Sequence, residues 1–338
     1  MKICVVGAGA IGGILGAQLA RTGHTVSLIA RGAHLVAIRA RGLKLVNHLE
    51  GGSESYLELP AESDPAVLAA RLGVQDVVII GLKAHAIPAL LGRLAPLIGP
   101  KTLVVPAING VPWWYFWGER GPHAGRALRS LDPKGTLFAD LSPSHIIGCV
   151  VHLAGEVRAP GEVHYTAGSR LIVGEIDRGL PQPLTPRIKV LHEALRRAGF
   201  ETRVARDIRT DVWAKLIGNL SFNPVAALAC ARIDQICADP GLLGVVRPLL
   251  REGMEVAAHY GVAVGMTPDE RIDLARQLGS AKISMHQDFE ANRAPEIDAI
   301  VGAVIELAEW GGLEVPAIRM IDALVRARAQ NLGLLGPG

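Results

Sequence analysis

The chain opens on a short, wholly apolar run, Ile3 to Val6, that is cut off at Gly7. An apolar, β-branched stretch of this length bounded by glycine predicts a strand buried on both faces. Ala10 to Thr22 then carries apolar residues at helical spacing and stops at Gly23, a C-terminal helix signal. The strand pattern returns at Thr25 to Ile29, at Val77 to Ile80 and at Leu103 to Ala107. Strands separated by helical segments predict βαβ units and a parallel sheet. Ile146 to Ala154 and Arg170 to Gly174 read as further strands, with Gly161 to Gly168 as a turn or hairpin between them. The proline-rich stretch Arg178 to Pro186 reads as a connector. A helix over Pro186 to Ala198 and a short strand over Glu201 to Val204 follow it. After Asp207 the pattern becomes helical throughout: roughly Asp207 to Cys230, Pro240 to Tyr260, Pro268 to Leu278, Pro295 to Trp310 and Pro316 to Gln330. Proline near the start of several of these fits its preference for the first helical turn. The pattern predicts an α/β domain over residues 1–206 and an all-helical domain over 207–338.

Composition narrows the function classes. Of 338 residues, 49% are hydrophobic and 20% charged, enough apolar mass for a real core. With 35 Lys plus Arg against 32 Asp plus Glu, the net charge is +3, which does not suggest a basic nucleic-acid surface. No stretch of about 18 uninterrupted apolar residues occurs, so no membrane partner is expected. Cys4, Cys149, Cys230 and Cys237 form no CxxC pair, which fits a reducing compartment. No signal peptide is read at the N-terminus, so a cytoplasmic location is expected. No His, Cys or carboxylate spacing suggests a metal site.

Gly7-Ala8-Gly9-Ala10-Ile11-Gly12 is a GxGxxG that follows a strand and opens a helix, the context of a Rossmann-type dinucleotide site. Gly7 permits the tight turn, Gly9 leaves room for a diphosphate, and Gly12 lets the helix approach the strand. The helix N-terminus adds unpaired N–H groups and a positive dipole end. An NAD site places a carboxylate about 20 residues on to bind the ribose hydroxyls. Here no Asp or Glu precedes Glu50, and the second strand runs into Arg31. A guanidinium suits a 2′-phosphate, so NADPH is expected rather than NADH. Lys83 and Asn109-Gly110 follow the next strands at the ligand edge of such a sheet. On position alone, Lys83 reads equally as a ligand-edge cation or a surface charge, and Asn109 reads first as part of an Asn-Gly turn.

In the helical half, Lys215, Asn219 and Asn223 recur at i, i+4 and i+8, so they form one polar stripe on one helix face. Together with Gly81-Leu82-Lys83, Trp213 to Pro224, Ser284 to Asp288 and Pro295-Glu296-Ile297-Asp298, these motifs run in order over nearly the whole chain. The chain resembles the ketopantoate reductase (2-dehydropantoate 2-reductase) family, most specifically in its WxKLxxNxxxNP segment, Trp213 to Pro224. That resemblance implies an oxidoreductase that reduces 2-dehydropantoate to pantoate with NADPH, in pantothenate and coenzyme A biosynthesis. Lys215 would be the general acid. Asn109, Asn219, Asn223 and Ser284 would bind substrate, and Asn109 would also lie beside the nicotinamide. Glu296, at the start of the helix from Pro295, would reach the cofactor or position Lys215. Arg31 and Lys83 would hold the adenosine end, and Ala154 would touch the cofactor through its backbone. Monomers and homodimers are both compatible with the resemblance.

Some residues depart from the family pattern. Ile233 stands where some members carry a polar substrate contact, and Ile283 replaces a hydroxyl residue before Ser284. Val111 to Trp117 is an aromatic cluster at the head of a stretch, residues 111–145, that reads as an insertion. It reads either as a wall over the substrate, favouring a bulkier 2-oxo acid, or as rings packed into the core or a dimer contact. A non-catalytic NADP-binding regulator is the third reading, and the retained Lys215, Asn219, Asn223, Ser284 and Glu296 argue against it.

Overall fold

The computed structural model describes residues 1–119, 121–179 and 184–335. The chain divides into two compact units. The first comprises Met1–Ile108, Trp114–Ala127 and Gly135–Ile208; the second comprises Asn109–Trp113, Leu128–Lys134 and Arg209–Gly338. Two short pieces from the end of the parallel sheet's last strand onward thus belong with the helices that follow in sequence.

The first unit begins β1 (Lys2–Val6), α1 (Ala10–Arg21), β2 (Thr25–Ile29), α2 (Gly32–Arg41), β3 (Leu43–Asn47) and β4 (Ser53–Leu57). It continues β5 (Ala61–Glu62), α3 (Pro65–Leu72), β6 (Gln75–Ile80) and β7 (Ile98–Pro106). After a long irregular stretch come α4 (Leu137–Asp140), β8 (Ile147–Ala159), β9 (Glu162–Glu175), α5 (Pro186–Arg197) and β10 (Glu201–Val204). The first sheet runs β5-β2-β1-β6-β7 and is parallel throughout. This is the doubly wound, Rossmann-type order, with β1 central. Ile3, for example, is opposite Val26 on one side and Val77 on the other. The second sheet runs β10-β9-β3-β4, with β8 paired antiparallel to β9.

Helix α1 packs against both sheets because it is glycine-rich on two faces. A methyl on Gly16 would stand 3.2 Å from Leu28 of β2, and one on Gly13 would stand 2.8 Å from Val163 of β9. Ile14, Leu15 and Leu19 fill the remaining space with Val5, Leu28, Val163 and Leu171, all nearly inaccessible. Each such side chain contributes roughly 1.5–3 kcal/mol by burial.

The second unit holds α6 (Ile208–Ala229), α7 (Ile233–Ala238), α8 (Pro240–His259), α9 (Pro268–Arg276), α10 (Ser284–Glu290), α11 (Ala303–Gly311) and α12 (Pro316–Asn331). Its helix ends are explicitly capped. Asp239 accepts from the Leu242 N–H at 2.9 Å, and Thr267 with Glu270 forms a capping box on α9. Val315 offers α12 no side-chain cap, and Glu252 of α8 supplies one, accepting from the N–H groups of Ala317 and Ile318 at 2.9 Å each. Glu306 of α11 does the same for the irregular segment, accepting from Arg129 and Ser130 at 2.8 and 2.9 Å.

Three local expectations change. The β3–β4 hairpin lies where no strand was predicted. Gly161 to Gly168 is mostly part of β9, which turns back at Gly161 (φ +80°) and carries its irregularity near Gly168 (φ +72°). The helix expected from Pro295 starts later, as a π-helical turn over Asp298–Gly302, so Glu296 precedes it. Residues 180–183 of the proline-rich connector lie outside the described residues. Among the described residues, no helix is long and apolar enough to cross a membrane.

Candidate active site

At the end of β1 the chain turns through Gly7, whose φ of +94° an L side chain rarely adopts. A methyl on Gly12 would run into the Gly7 carbonyl oxygen, so α1 can close on the turn only with glycine there. Gly9 is different: a methyl there would meet nothing within 4 Å. Gly9 caps α1 without any side-chain hydrogen bond, and no acidic residue lies in the first turn. The free N–H groups and positive end of the helix therefore face open space, as a diphosphate requires.

That space is a cavity of about 540 Å³ in the first unit. Gly7, Ala8 and Gly9 line it together with Arg31, His34, Arg93 and Arg158, and among the described residues no carboxylate does. Glu62 at the end of β5, close in sequence to the lining residue Ser63, is buried and held by Arg39 and, at 2.6 Å, by Arg71. The pocket thus presents guanidinium groups without competing anions. His34 is held by a hydrogen bond at each ring nitrogen. Its Nδ1 accepts from the Gly161 N–H at 2.9 Å, so its Nε2 carries the hydrogen and donates to the Ala8 carbonyl at 2.7 Å. This ties the glycine turn to the β8–β9 turn. Sequence reasoning missed His34, Arg93 and Arg158, which only the fold brings to the turn. Lys83, three residues past β6, is half-buried and does not line this cavity. Neither does Ala154, which lies on β8 opposite Ala167 at a register shift.

The second unit gathers a second set. Lys215 of α6 donates from Nζ to Oδ1 of Asn109 at 2.7 Å. The Asn109 amide in turn donates from Nδ2 to Glu296 Oε2 at 3.3 Å. The two bonds fix the amide's orientation, because an ammonium needs an acceptor and a carboxylate needs a donor. Gly110 (φ +81°) lets the chain press onto the π-helical turn, where Val111 N–H donates to the Ala299 carbonyl at 2.8 Å. A side chain at 110 would strike that carbonyl. A π-helical turn beside such a group is a common feature of functional sites.

Along α6, Asn219 is half-buried and makes no side-chain hydrogen bond among the described residues. Asn223 is 2% exposed and donates to Ser284 Oγ of α10 at 3.5 Å. The structure therefore brings together Asn109, Lys215 and Glu296 by hydrogen bonds, and Asn223 with Ser284.

The family model described as Ketopantoate reductase PanE/ApbA matches residues 3–178, and its C-terminal counterpart matches residues 207–329. The chain belongs to the ketopantoate reductase family. A 2-dehydropantoate 2-reductase of Mesorhizobium japonicum is 42% identical over 334 residues, covering 98% of this chain and 99% of that one. One from Pyrococcus horikoshii is 28% identical over 98% of this chain and 99% of its own. A crystal structure of a provisionally named ketopantoate reductase from Ralstonia solanacearum MolK2 superposes with a TM-score of 0.90 at 39% identity, covering 98% of this chain and 99% of that one. This chain is therefore a member of an oxidoreductase family.

The aromatic segment at the head of residues 111–145 is buried. Trp113 to Trp117 are each between 1% and 4% exposed, which leaves little ring surface for a ligand. Within the first unit, Trp117 meets Phe138 edge-on at 4.8 Å and Tyr115 meets Phe116 at 5.0 Å. Gly148 of β8 makes room for Trp114, whose ring would lie 3.0 Å from a methyl there. These rings are core groups rather than an open wall.

Proposed function

We propose that this family member reduces 2-dehydropantoate to pantoate with NADPH, as a soluble enzyme of pantothenate and coenzyme A biosynthesis. The observation that carries the reading is the Lys215–Asn109–Glu296 chain of hydrogen bonds. NADPH, when bound, supplies the hydride. The arginine-lined cavity and open Gly9 suit its diphosphate and 2′-phosphate, and Arg31 is the residue that favours NADPH over NADH.

Lys215 is the general acid. Negative charge develops on the keto oxygen as the carbonyl carbon is reduced, and the Nζ ammonium stabilises it and delivers a proton. Solvent then restores the proton to Nζ. Asn109 holds Nζ through its Oδ1, and Glu296 keeps that amide from turning its NH2 group toward the cation. Glu296 is thus a positioning residue for Lys215 through Asn109. Asn219, whose amide is uncommitted, and Asn223 with Ser284 hydrogen-bond the substrate's hydroxyl groups. The burial of Trp113 to Trp117 supports 2-dehydropantoate over a bulkier 2-oxo acid.

NADPH oxidation measured with 2-dehydropantoate and a panel of bulkier 2-oxo acids tests the substrate. Turnover is expected to be best with 2-dehydropantoate. Preference for a bulkier acid contradicts the substrate, and NADPH binding with no turnover of any acid points to a non-catalytic cofactor binder. Lys215→Ala should keep NADPH affinity and lose about 10²–10⁴ in kcat; retained activity shows that Lys215 is not the acid.

A further inference from the structure

Gly218 is a buried residue of α6, one turn on from Lys215. Its backbone is not in the left-handed region, so conformational freedom does not explain the glycine. Space does. A methyl built on it would collide with Nη2 of Arg271 and stand 2.5 Å from Cζ and 2.9 Å from Nε. The whole guanidinium of Arg271, reaching over from α9, therefore lies against the α6 backbone in a slot that a side chain at 218 would fill.

Arg271 is half-buried, yet among the described residues its side chain makes no hydrogen bond and no ion pair. The titratable group that bears on it is Cys237 of α7, a buried thiol. Burial pushes the Cys237 thiol up, so it stays neutral and supplies no counter-charge. Burial also presses the Arg271 guanidinium down from its ordinary value. Withdrawing a cation from water without a partner is costly, and such groups are found where an anion will pair with them.

The location identifies the anion. With 3.6 residues per turn, Gly218 lies about 60° around α6 from Lys215, and Asn219 about 40° to the other side. Residues three apart on a helix are neighbours, roughly 5–6 Å between Cβ positions. The keto oxygen and carboxylate of a 2-oxo acid sit on adjacent carbons, so two cations presented one turn apart on α6 can take one group each. We propose that Arg271, seated on Gly218, binds the carboxylate of the 2-oxo acid whose keto oxygen faces Lys215. This rests on the reduction of a 2-oxo acid proposed above, and it makes Arg271 the residue that distinguishes an acid from a neutral keto compound. A guanidinium also matches a carboxylate with two parallel N–H donors, which the amides of Asn219 and Asn223 do not.

Steady-state kinetics of Arg271→Met and Arg271→Lys, with a 2-oxo acid and with its neutral amide, test this. Arg271→Met should raise KM for the acid about 10- to 100-fold, leave kcat within a few-fold and leave NADPH affinity unchanged. KM for the amide should hardly move, and Arg271→Lys should recover part of the loss. Because the guanidinium has no protein partner, Arg271→Met should melt no lower than the wild type, whereas loss of a structural arginine would lower the transition. Gly218→Ala, which closes the slot but keeps the charge, should raise KM for the acid in the same way. Unchanged KM for the acid in Arg271→Met, beside active wild type, overturns the assignment of Arg271 alone. A wild type that reduces no 2-oxo acid overturns the proposed function and this inference with it.

Discussion

Alanine at Gly9 and alanine at Gly12 are the same chemical change two and five residues into one turn, and the structure assigns them opposite consequences. At Gly9 the backbone is extended, with φ −66° and ψ −161°, and the new methyl meets nothing within 4 Å. Folding should be nearly indifferent, since loss of glycine's freedom in the unfolded chain is worth only about 0.4–1 kcal/mol in favour of the variant. The methyl instead projects where a diphosphate would approach the N–H groups. Loss of one charge-assisted hydrogen bond, about 1.5–3 kcal/mol, predicts NADPH affinity 10- to 100-fold weaker. At Gly12 the methyl runs into a backbone oxygen, which cannot rotate away, so α1 must move off the sheet. Overpacking of this kind costs about 1–3 kcal/mol, or several degrees in Tm for a unit of this size. A thermal melt and a fluorescence titration with NADPH, run on both variants, separate the two. Wild-type NADPH affinity in Gly9→Ala would show that the diphosphate does not lie over Gly9. An unshifted melt in Gly12→Ala would refute the packing argument.

Arg31→Ala should weaken NADPH about 10- to 100-fold while changing NADH binding little; equal losses for both cofactors in parallel titrations would show that Arg31 does not read the 2′-phosphate. Glu296→Gln leaves the Asn109 amide free to present either end to Lys215, so kcat should fall about 10- to 100-fold with NADPH affinity and melting temperature unchanged. Steady-state kinetics with wild-type kcat would remove Glu296 from the positioning of Lys215.

Much of this molecule is legible in its sequence because the informative segments are locally determined. β1, β2, β6 and β7 are buried on both faces, so they appear as apolar runs closed by a small or polar residue. The Gly7–Gly12 turn is legible because Gly7 and Gly12 answer local backbone and packing demands, while Gly9 stands open where a diphosphate would approach. β4 is not: Ser53-Glu54-Ser55-Tyr56-Leu57 has no apolar alternation, and it is a strand because the backbone of β3 pairs with it. β9 was split by Gly161 and Gly168, where glycine marks a turn and an irregularity rather than two ends of a loop. The aromatic run was legible as unusual but not as core, since its packing partners Phe138 and Gly148 are distant in sequence.

The candidate site divides the same way. Lys215, Asn219 and Asn223 share a helix face by spacing alone, and Asn109, Ser284 and Glu296 came with the family resemblance. That Asn109 bridges Lys215 and Glu296 needed coordinates, because the three lie on a loop, a helix and the approach to a π-helical turn. Arg93, Arg158 and His34 reach the glycine turn through tertiary structure, with no local signal. Arg271 had none either: in sequence it is one charge on the exposed-looking Asp269-Glu270-Arg271 run. Only the contact with Gly218 shows which way it points.

The most direct test of the account is NADPH oxidation with 2-dehydropantoate, followed alongside pantoate formation in the wild type and in Lys215→Ala. The account predicts stoichiometric NADPH loss and pantoate gain in the wild type, and near-complete loss of both in the variant with NADPH binding intact. No NADPH oxidation by a wild-type protein that binds NADPH, or undiminished turnover in Lys215→Ala, would contradict it.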